Sequence, residues 1–159
     1  MKFSAKTIAI GGLVAALYVV LTLVSSVFGS ASGPFQLRIS EALCILPVFT
    51  PAAVPGLFIG CLLSNIIFGG GIWDIVFGSL ATLIGAIGTY LLRKHRFLAP
   101  IPPIVANMIV IPLILTFTIN AEQSFWLLVL LIGASEFISA GILGELLYIP
   151  LNKHRSLFL

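Results

Sequence analysis

The sequence is poor in charge: 8% of its 159 residues are charged, comprising eight Lys or Arg and five Asp or Glu. An ordinary soluble domain has about 25% charged residues. Hydrophobic residues make up 60% of the chain, which is more apolar surface than a folded domain of this size can shield from water. The composition therefore excludes a soluble enzyme, a nucleic-acid-binding module and a disordered tail, and it indicates a chain that folds in lipid.

Several chemical motifs are also missing. The chain has no GxxxxGK[ST] loop for ATP, no HExxH zinc motif and no GxSxG nucleophile motif. Its two cysteines, Cys44 and Cys61, lie in apolar segments without CxxC spacing, which is typical of small buried side chains and supports no metal or redox role. We predict no catalytic residue, no metal site and no cofactor, and therefore a binding protein rather than an enzyme.

What the sequence does contain is a series of apolar segments, separated by stretches rich in Gly, Pro, Ser or charge. A membrane-spanning helix needs about 20 residues, so about six helices fit in the chain. We predict an all-α membrane protein, a six-transmembrane-helix bundle that forms one domain over residues 1–159. The predicted helices are approximately 6–28, 38–49, 51–69, 73–93, 102–119 and 124–150.

The first two of these spans have alternatives. A basic start followed by an apolar run also fits a cleaved signal peptide, but the run 7–28 is longer than the roughly 7–15 apolar residues of such a peptide, so we expect an uncleaved span. In the second span, Pro47, Pro51 and Pro55 predict a broken or kinked helix that is short or tilted. A re-entrant hairpin is the alternative, and it would place the basic C-terminus outside.

Basic residues indicate the orientation in the membrane. They lie at Lys2 and Lys6, within 93–96 and within 153–155, and the formal net charge of the chain is +3. Loops rich in Lys and Arg face the cytoplasm. With six spans, all three basic groups are cytoplasmic, and so are both termini. Arg38 alone then lies on the outer side, which marks it as a candidate functional residue.

Acidic residues within the spans are the main binding candidates, because a charge inside a bilayer is costly. Glu136 lies about 18 Å along the sixth helix at 1.5 Å per residue, among small residues that leave room for a ligand. The alternative is a neutral, hydrogen-bonded glutamate. Glu145 is out of phase with Glu136 on the helix and lies near the inner interface, so we exclude it from the site.

Two further acids begin predicted helices near the outer face. Arg38 and Glu41 are three residues apart, a spacing that places them on one helix face. We interpret them as a pair that opens onto a pocket, with a purely structural pair as the alternative. Asp74 lies in a first helical turn, where the helix dipole favours an acid, so an N-cap and a ligand contact are equally supported.

Three other residues are weaker candidates. Asn65 and Asn107 lie within predicted spans, where an amide either lines a site or links two helices. Trp73 lies beside Asp74 at the outer boundary, so it is a candidate for stacking on a planar ligand, although aromatic residues are common at that depth.

The first helix contains two pairs of small residues at the spacing that allows helices to pack closely. These pairs are Gly11/Ala15 and Gly12/Ala16. The spacing is common in membrane proteins. It fits either docking of a partner or packing of the first helix within its own bundle.

Several segments together resemble the queuosine-precursor transporter family, QueT. They are 38–43 (RISEAL), 46–61 (LPVFTPAAVPGLFIGC) and 73–83 (WDIVFGSLATL), and the opening segment 16–22 (ALYVVLT) also fits. The resemblance covers nearly the whole chain, and its first block is specific.

The resemblance implies a substrate-binding S component of an energy-coupling factor (ECF) transporter in a bacterial plasma membrane. It implies a six-helix bundle that captures its substrate near the outer face. It also implies three partners, namely a coupling transmembrane protein and two ATP-binding subunits, which would explain the missing ATP loop. The docking residues it implies are Gly11, Gly12, Ala15 and Ala16, with glycine at positions where the family often has alanine.

The implied substrate is a 7-deazaguanine, such as queuine or its 7-aminomethyl or 7-cyano precursor. Carboxylates suit its N–H donors, an amide or guanidinium suits its carbonyl, and an indole suits its ring. The residues predicted to contact it are Arg38, Glu41, Asn65, Trp73, Asp74, Asn107 and Glu136.

Three other functions remain open. The same transporter architecture with another vitamin-like small molecule is the nearest, and a stand-alone small membrane facilitator is the second. The third is a membrane enzyme that uses Glu136 and Asp74 as acid and base, which is disfavoured because their predicted depths differ.

Overall fold

The structure is a computed structural model that describes residues 4–29, 35–68, 70–118 and 124–155. Over these ranges the elements are all helical and no strand is present, which confirms the predicted all-α class. Four stretches are long and apolar enough to cross a membrane, and they are Ala5–Val27, Asp74–Leu91, Arg96–Phe117 and Phe125–Lys153. Two apolar helices are shorter, Ile39–Val48 and Ala53–Ile67. Six spans and cytoplasmic termini therefore stay predictions.

The helices of the described chain are of three kinds. The α-helices are α1 (Ala5–Val27), α2 (Ala53–Ile67), α3 (Ser79–Leu91), α4 (Ile101–Thr118), α5 (Phe125–Glu136) and α6 (Gly144–Lys153). Two π-helical segments interrupt the long spans, the first at Asp74–Gly78 before α3 and the second at Phe137–Leu143 between α5 and α6. The remaining elements are a 3₁₀ segment at Ile39–Val48 and a short 3₁₀ turn at Arg96–Leu98.

The 3₁₀ segment differs most from the sequence expectation. The expected second helix 38–49 is a 3₁₀ helix, and its ten residues extend about 20 Å at 2.0 Å per residue, less than the roughly 30 Å of a hydrocarbon core. Every residue from Ser40 to Thr50 is buried. The segment packs against α1, α3, α6 and the second π segment. Protein rather than lipid therefore surrounds it, and this environment tolerates a Pro47 that would interrupt an α-helix.

Helices α1 and α2 pack closely through glycines. A Cβ atom placed on Gly60 would lie 2.7 Å from the Cβ of Tyr18, and one placed on Gly56 would lie 2.6 Å from the carbonyl oxygen of Gly11. No other residue type fits at this distance without moving the neighbouring backbone. The close contact between α1 and α2 determines which face of α1 points into the interior of the bundle.

An ion pair links α6 to the turn before α4. Nε of Arg96 lies 2.6 Å from Oε2 of Glu145, and the Arg96 guanidinium lies 4.6 Å from the centre of the Tyr148 ring. One carboxylate oxygen of Glu145 is thus engaged in an ion pair, whereas its buried Oε1 has no hydrogen-bond partner among the described residues. The exclusion of Glu145 from the binding site stays a prediction.

Candidate ligand-binding site

One face of α1 contributes a line of polar contacts to the interior. Tyr18, Thr22 and Ser25 follow one another at intervals of four and three residues, so they share a helix face, and all three are buried. The Tyr18 hydroxyl donates to Oε1 of Glu41. The Thr22 hydroxyl donates to the Ser40 hydroxyl at 2.9 Å, and the Ser25 hydroxyl accepts from the backbone N–H of Ile39, also at 2.9 Å. These contacts attach the start of the 3₁₀ segment to α1.

Glu41 is the carboxylate at the centre of these contacts, and it is 2% exposed. Besides the hydroxyl of Tyr18 at Oε1, its Oε2 accepts from the thiol of Cys44 at 3.1 Å. Arg38 interacts electrostatically with Glu41. The Glu41 carboxyl group is therefore fixed in position, since both of its oxygens accept hydrogen bonds from neutral donors and the cation of Arg38 interacts with it.

Glu136 is the second buried acid, and it is 5% exposed. Its Oε1 accepts from the side-chain amide of Asn107, on α4, at 3.0 Å. Its Oε2 is also buried, and it has no hydrogen-bond partner among the described residues. Buried polar atoms in folded proteins nearly always have partners. Glu136 therefore offers an acceptor that a ligand can satisfy.

The two acids belong to one polar region, because the 3₁₀ segment packs against the second π segment, which directly follows Glu136. Glu136 interacts electrostatically with both Glu41 and Arg38. Short π segments inside α-helices occur often at functional sites. The structure thus brings together four of the predicted site residues, which are Arg38, Glu41, Asn107 and Glu136.

Asn65 and Asp74 form a contact of a different kind. The side-chain amide of Asn65 donates to the backbone carbonyl of Asp74 at 3.0 Å, so it ties α2 to the first π segment. This is the helix-linking role that was the alternative for Asn65. Asp74 is half-buried and lies in the first turn of its helix. Its two interpretations, an N-cap and a ligand contact, stay predictions.

Trp73 lies at a separate groove. Its side chain is 52% exposed and stacks on Phe77, with ring centres 5.7 Å apart and an angle of 14° between the planes. These two rings and α4 line a groove of about 450 Å³, and the described lining residues include none of the candidate acids. A planar ligand at Trp73 would have to share the ring with Phe77.

Sequence reasoning missed several members of the polar region. Tyr18 carries the hydroxyl that donates to Glu41, yet it lies in an apolar run that predicts no polar contact. Cys44 and Cys61 are buried as predicted, but as hydrogen-bonding groups: Cys44 donates to Glu41, and the Sγ of Cys61 accepts from the hydroxyl of Thr82 at 3.3 Å. In a membrane interior, small thiol and hydroxyl groups supply the polar contacts.

Removing the Tyr18 hydroxyl tests this arrangement. We expect Tyr18→Phe to lower the free energy of unfolding by about 1–3 kcal/mol, because a buried carboxylate oxygen loses its donor. The measurement is unfolding of the purified protein in mixed micelles. Tyr90→Phe is the matched control, since the ring of Tyr90 lies under the guanidinium of Arg93 rather than at a buried acid. Equal stability of the two variants would show that Glu41 does not depend on Tyr18.

Comparison with known proteins identifies the family. The sequence profile of the QueT transporter family matches residues 8–153. The chain belongs to the QueT transporter family. This confirms the resemblance, and together with the apolar helices it makes the chain a multi-pass membrane protein.

One curated QueT protein is a significant match. The queuosine precursor transporter QueT of Lactococcus lactis subsp. cremoris (strain MG1363) is 38% identical over 73 residues, which is 45% of this chain and 42% of the relative. The match thus spans less than half the length of that QueT protein. No solved structure matches the chain significantly.

Proposed function

We propose that this chain is the substrate-capture subunit, or S component, of an ECF-type ABC transporter that imports a queuosine precursor. Membership of the QueT family and the name of the Lactococcus relative support the transport role and the substrate class. The proposed substrate is a 7-deazaguanine, and the chain itself is proposed to carry out no catalysis.

The observation that carries the proposal is the pair of buried carboxylates. A guanine-like ring presents N–H donors along one edge, and carboxylate oxygens accept such donors strongly. Glu136 has an unpartnered Oε2, and Glu41 lies in the same polar region. Arg38 and Asn107 supply donors suited to the ring carbonyl. The combination of acceptors and donors matches the hydrogen-bonding pattern of the ring.

A second surface supports assembly with a coupling protein. Gly12 and Ala16 are exposed, whereas Gly11 contacts Gly56 and Ala15 contacts Gly60 of α2. The four predicted docking residues therefore divide between two faces of α1, and only Gly12 and Ala16 remain for a partner. We propose that a coupling transmembrane protein docks on this outer face and that two ATP-binding subunits supply the energy.

The orientation follows from this assignment. Substrate capture at the outer face of a bacterial plasma membrane requires the polar region to open outward, with both termini in the cytoplasm. The positively charged loops are consistent with that orientation. Labelling of a cysteine introduced at position 94, within the basic loop, would test this orientation in intact cells.

The direct test is a ligand titration of the purified protein alone in detergent. The panel contains queuine, its 7-aminomethyl and 7-cyano precursors, riboflavin, thiamin and biotin. We expect saturable binding confined to the deazaguanines, measured by calorimetry. Binding of a different vitamin would redirect the substrate assignment, and the absence of all binding by a folded sample would contradict it.

A transport assay separates capture from facilitation. We expect lipid vesicles that contain the chain alone to accumulate no deazaguanine, because the proposed energy source lies in other subunits. Uptake into such vesicles would favour a stand-alone facilitator.

A further inference from the structure

The polar region contains more buried negative groups than positive ones. Glu41 and Glu136 are each at least 95% buried, at 2% and 5% exposed. Arg38 is the basic residue that interacts electrostatically with both. The other basic residues of the described chain lie at its Lys6 end, within 93–96 and within 153–155. A ligand that enters this region therefore meets two carboxylates and one guanidinium.

The two carboxyl groups differ in how many of their oxygens accept a hydrogen bond. Glu41 has a donor on each oxygen, from Tyr18 and from Cys44. Glu136 has a donor only at Oε1, from Asn107, while Oε2 is buried and has no partner among the described residues. A buried ionised oxygen is stabilised best by a cation that also donates a hydrogen bond. Of the four carboxyl oxygens of Glu41 and Glu136, Oε2 of Glu136 is therefore the one without a donor among the described residues.

We infer that Glu136 binds a protonated amine on the ligand, and that the site selects amine-bearing 7-deazaguanines over the neutral 7-cyano compound. The inference rests on the proposed function and specifies the ligand within it. An ammonium group at Oε2 donates a hydrogen bond to that oxygen and favours the ionised form of Glu136. A nitrile carries no charge and no hydrogen-bond donor, so it leaves that oxygen unpaired.

Asn107 has a positioning role in this arrangement. By donating to Oε1 it orients the carboxyl group and leaves Oε2 for the ligand. Glu41, whose oxygens are already engaged by neutral donors, is suited to the neutral N–H edge of the ring rather than to the amine. This assigns the amine to α5 and the ring edge to the 3₁₀ segment.

The test compares two ligands that share one ring. The dissociation constants of 7-aminomethyl-7-deazaguanine and 7-cyano-7-deazaguanine are measured by calorimetry with the wild-type protein and with Glu136→Gln. We expect the wild type to prefer the amine by about 30-fold or more, because losing one partner of a buried charge pair costs at least that much affinity. In Glu136→Gln the amine should lose about 30-fold or more, while the nitrile should change by less than about threefold.

Glu145→Gln is the matched control, since it makes the same chemical change on the continuous α5–α6 span, at a residue paired with Arg96. It should preserve the preference for the amine. Equal wild-type affinities for the two ligands would overturn the inference without any variant, and would leave the proposed function intact. Equal losses for both ligands in Glu136→Gln would also overturn it. If a folded wild-type sample binds neither these two compounds nor queuine, the proposed function fails as well.

Discussion

The Gly60→Leu variant is expected not to fold into a stable bundle. A Cβ atom at this position would lie 2.7 Å from the Cβ of Tyr18 and 3.0 Å from the carbonyl oxygen of Ala15. Leucine adds three further carbons to that contact, so α1 and α2 must separate. Overpacking of this kind costs about 3 kcal/mol or more, because backbone rather than a flexible side chain has to move. Separation of the helices would also withdraw the Tyr18 hydroxyl from Glu41.

The measurement is size-exclusion chromatography in detergent, followed by unfolding in mixed micelles. We expect aggregated protein, or a loss of at least about 3 kcal/mol in the free energy of unfolding. Gly12→Leu is the matched control, because it introduces the same side chain at an exposed position of α1, away from the contact with α2. A monodisperse Gly60→Leu variant with wild-type stability would contradict the close packing of α1 on α2.

The Gly12→Leu variant is expected to fold and to bind ligand as the wild type does, but to lose assembly with the proposed coupling protein. Apart from its chain neighbours and the nearby backbone of α1 itself, no heavy atom of the described residues lies within 4 Å of a Cβ placed on Gly12, so leucine is accommodated in the isolated chain. Docking of another helix is different, because small residues allow backbones to approach closely. A leucine side chain at this point would hold the partner helix away.

Co-purification tests the loss. The chain is expressed with the coupling protein and the two ATP-binding subunits of the host organism, and the complex is isolated through a tag on the coupling protein. We expect Gly12→Leu and Ala16→Leu to be recovered at less than about a tenth of the wild-type amount, if docking loses at least 1.4 kcal/mol. Ala134→Leu, at an exposed position on α5, should assemble normally. Full recovery of both α1 variants would place the docking surface elsewhere.

Hydropathy predicts the long helices well, because a bilayer requires long apolar stretches in helical form. The expected first helix 6–28 corresponds to Ala5–Val27, and the expected fifth helix 102–119 to Ile101–Thr118. Hydropathy does not distinguish an α-helix from a 3₁₀ or a π segment of the same composition. The geometry at Ile39–Val48 and Phe137–Leu143 depends on which elements pack around each segment, and that information is tertiary.

The sequence likewise predicted some of the candidate site residues but not the contacts between them. The cost of burying a charge pointed to Glu136, the spacing from Arg38 pointed to Glu41, and the position of an amide within a span pointed to Asn65 and Asn107 alike. Sequence could not show that Asn107 and Glu136 meet, since they are far apart in the chain and share no motif. It also could not separate Gly11 from Gly12, because both begin a small-residue pair. Adjacent residues on a helix differ by about 100° in direction, so only the position of α2 decides which of the two is internal.

The short, enclosed 3₁₀ segment has a consequence for biogenesis. A ten-residue stretch that contains a glutamate is too short and too polar to enter a bilayer by its own hydrophobicity. Its walls include α1, α3, α6 and the second π segment, and α6 follows the other three in the chain. The segment that carries Glu41 is therefore fully enclosed only after α6 has been synthesised. A chain truncated before α6 would keep the long stretches Ala5–Val27, Asp74–Leu91 and Arg96–Phe117, and it would lack one wall around Glu41.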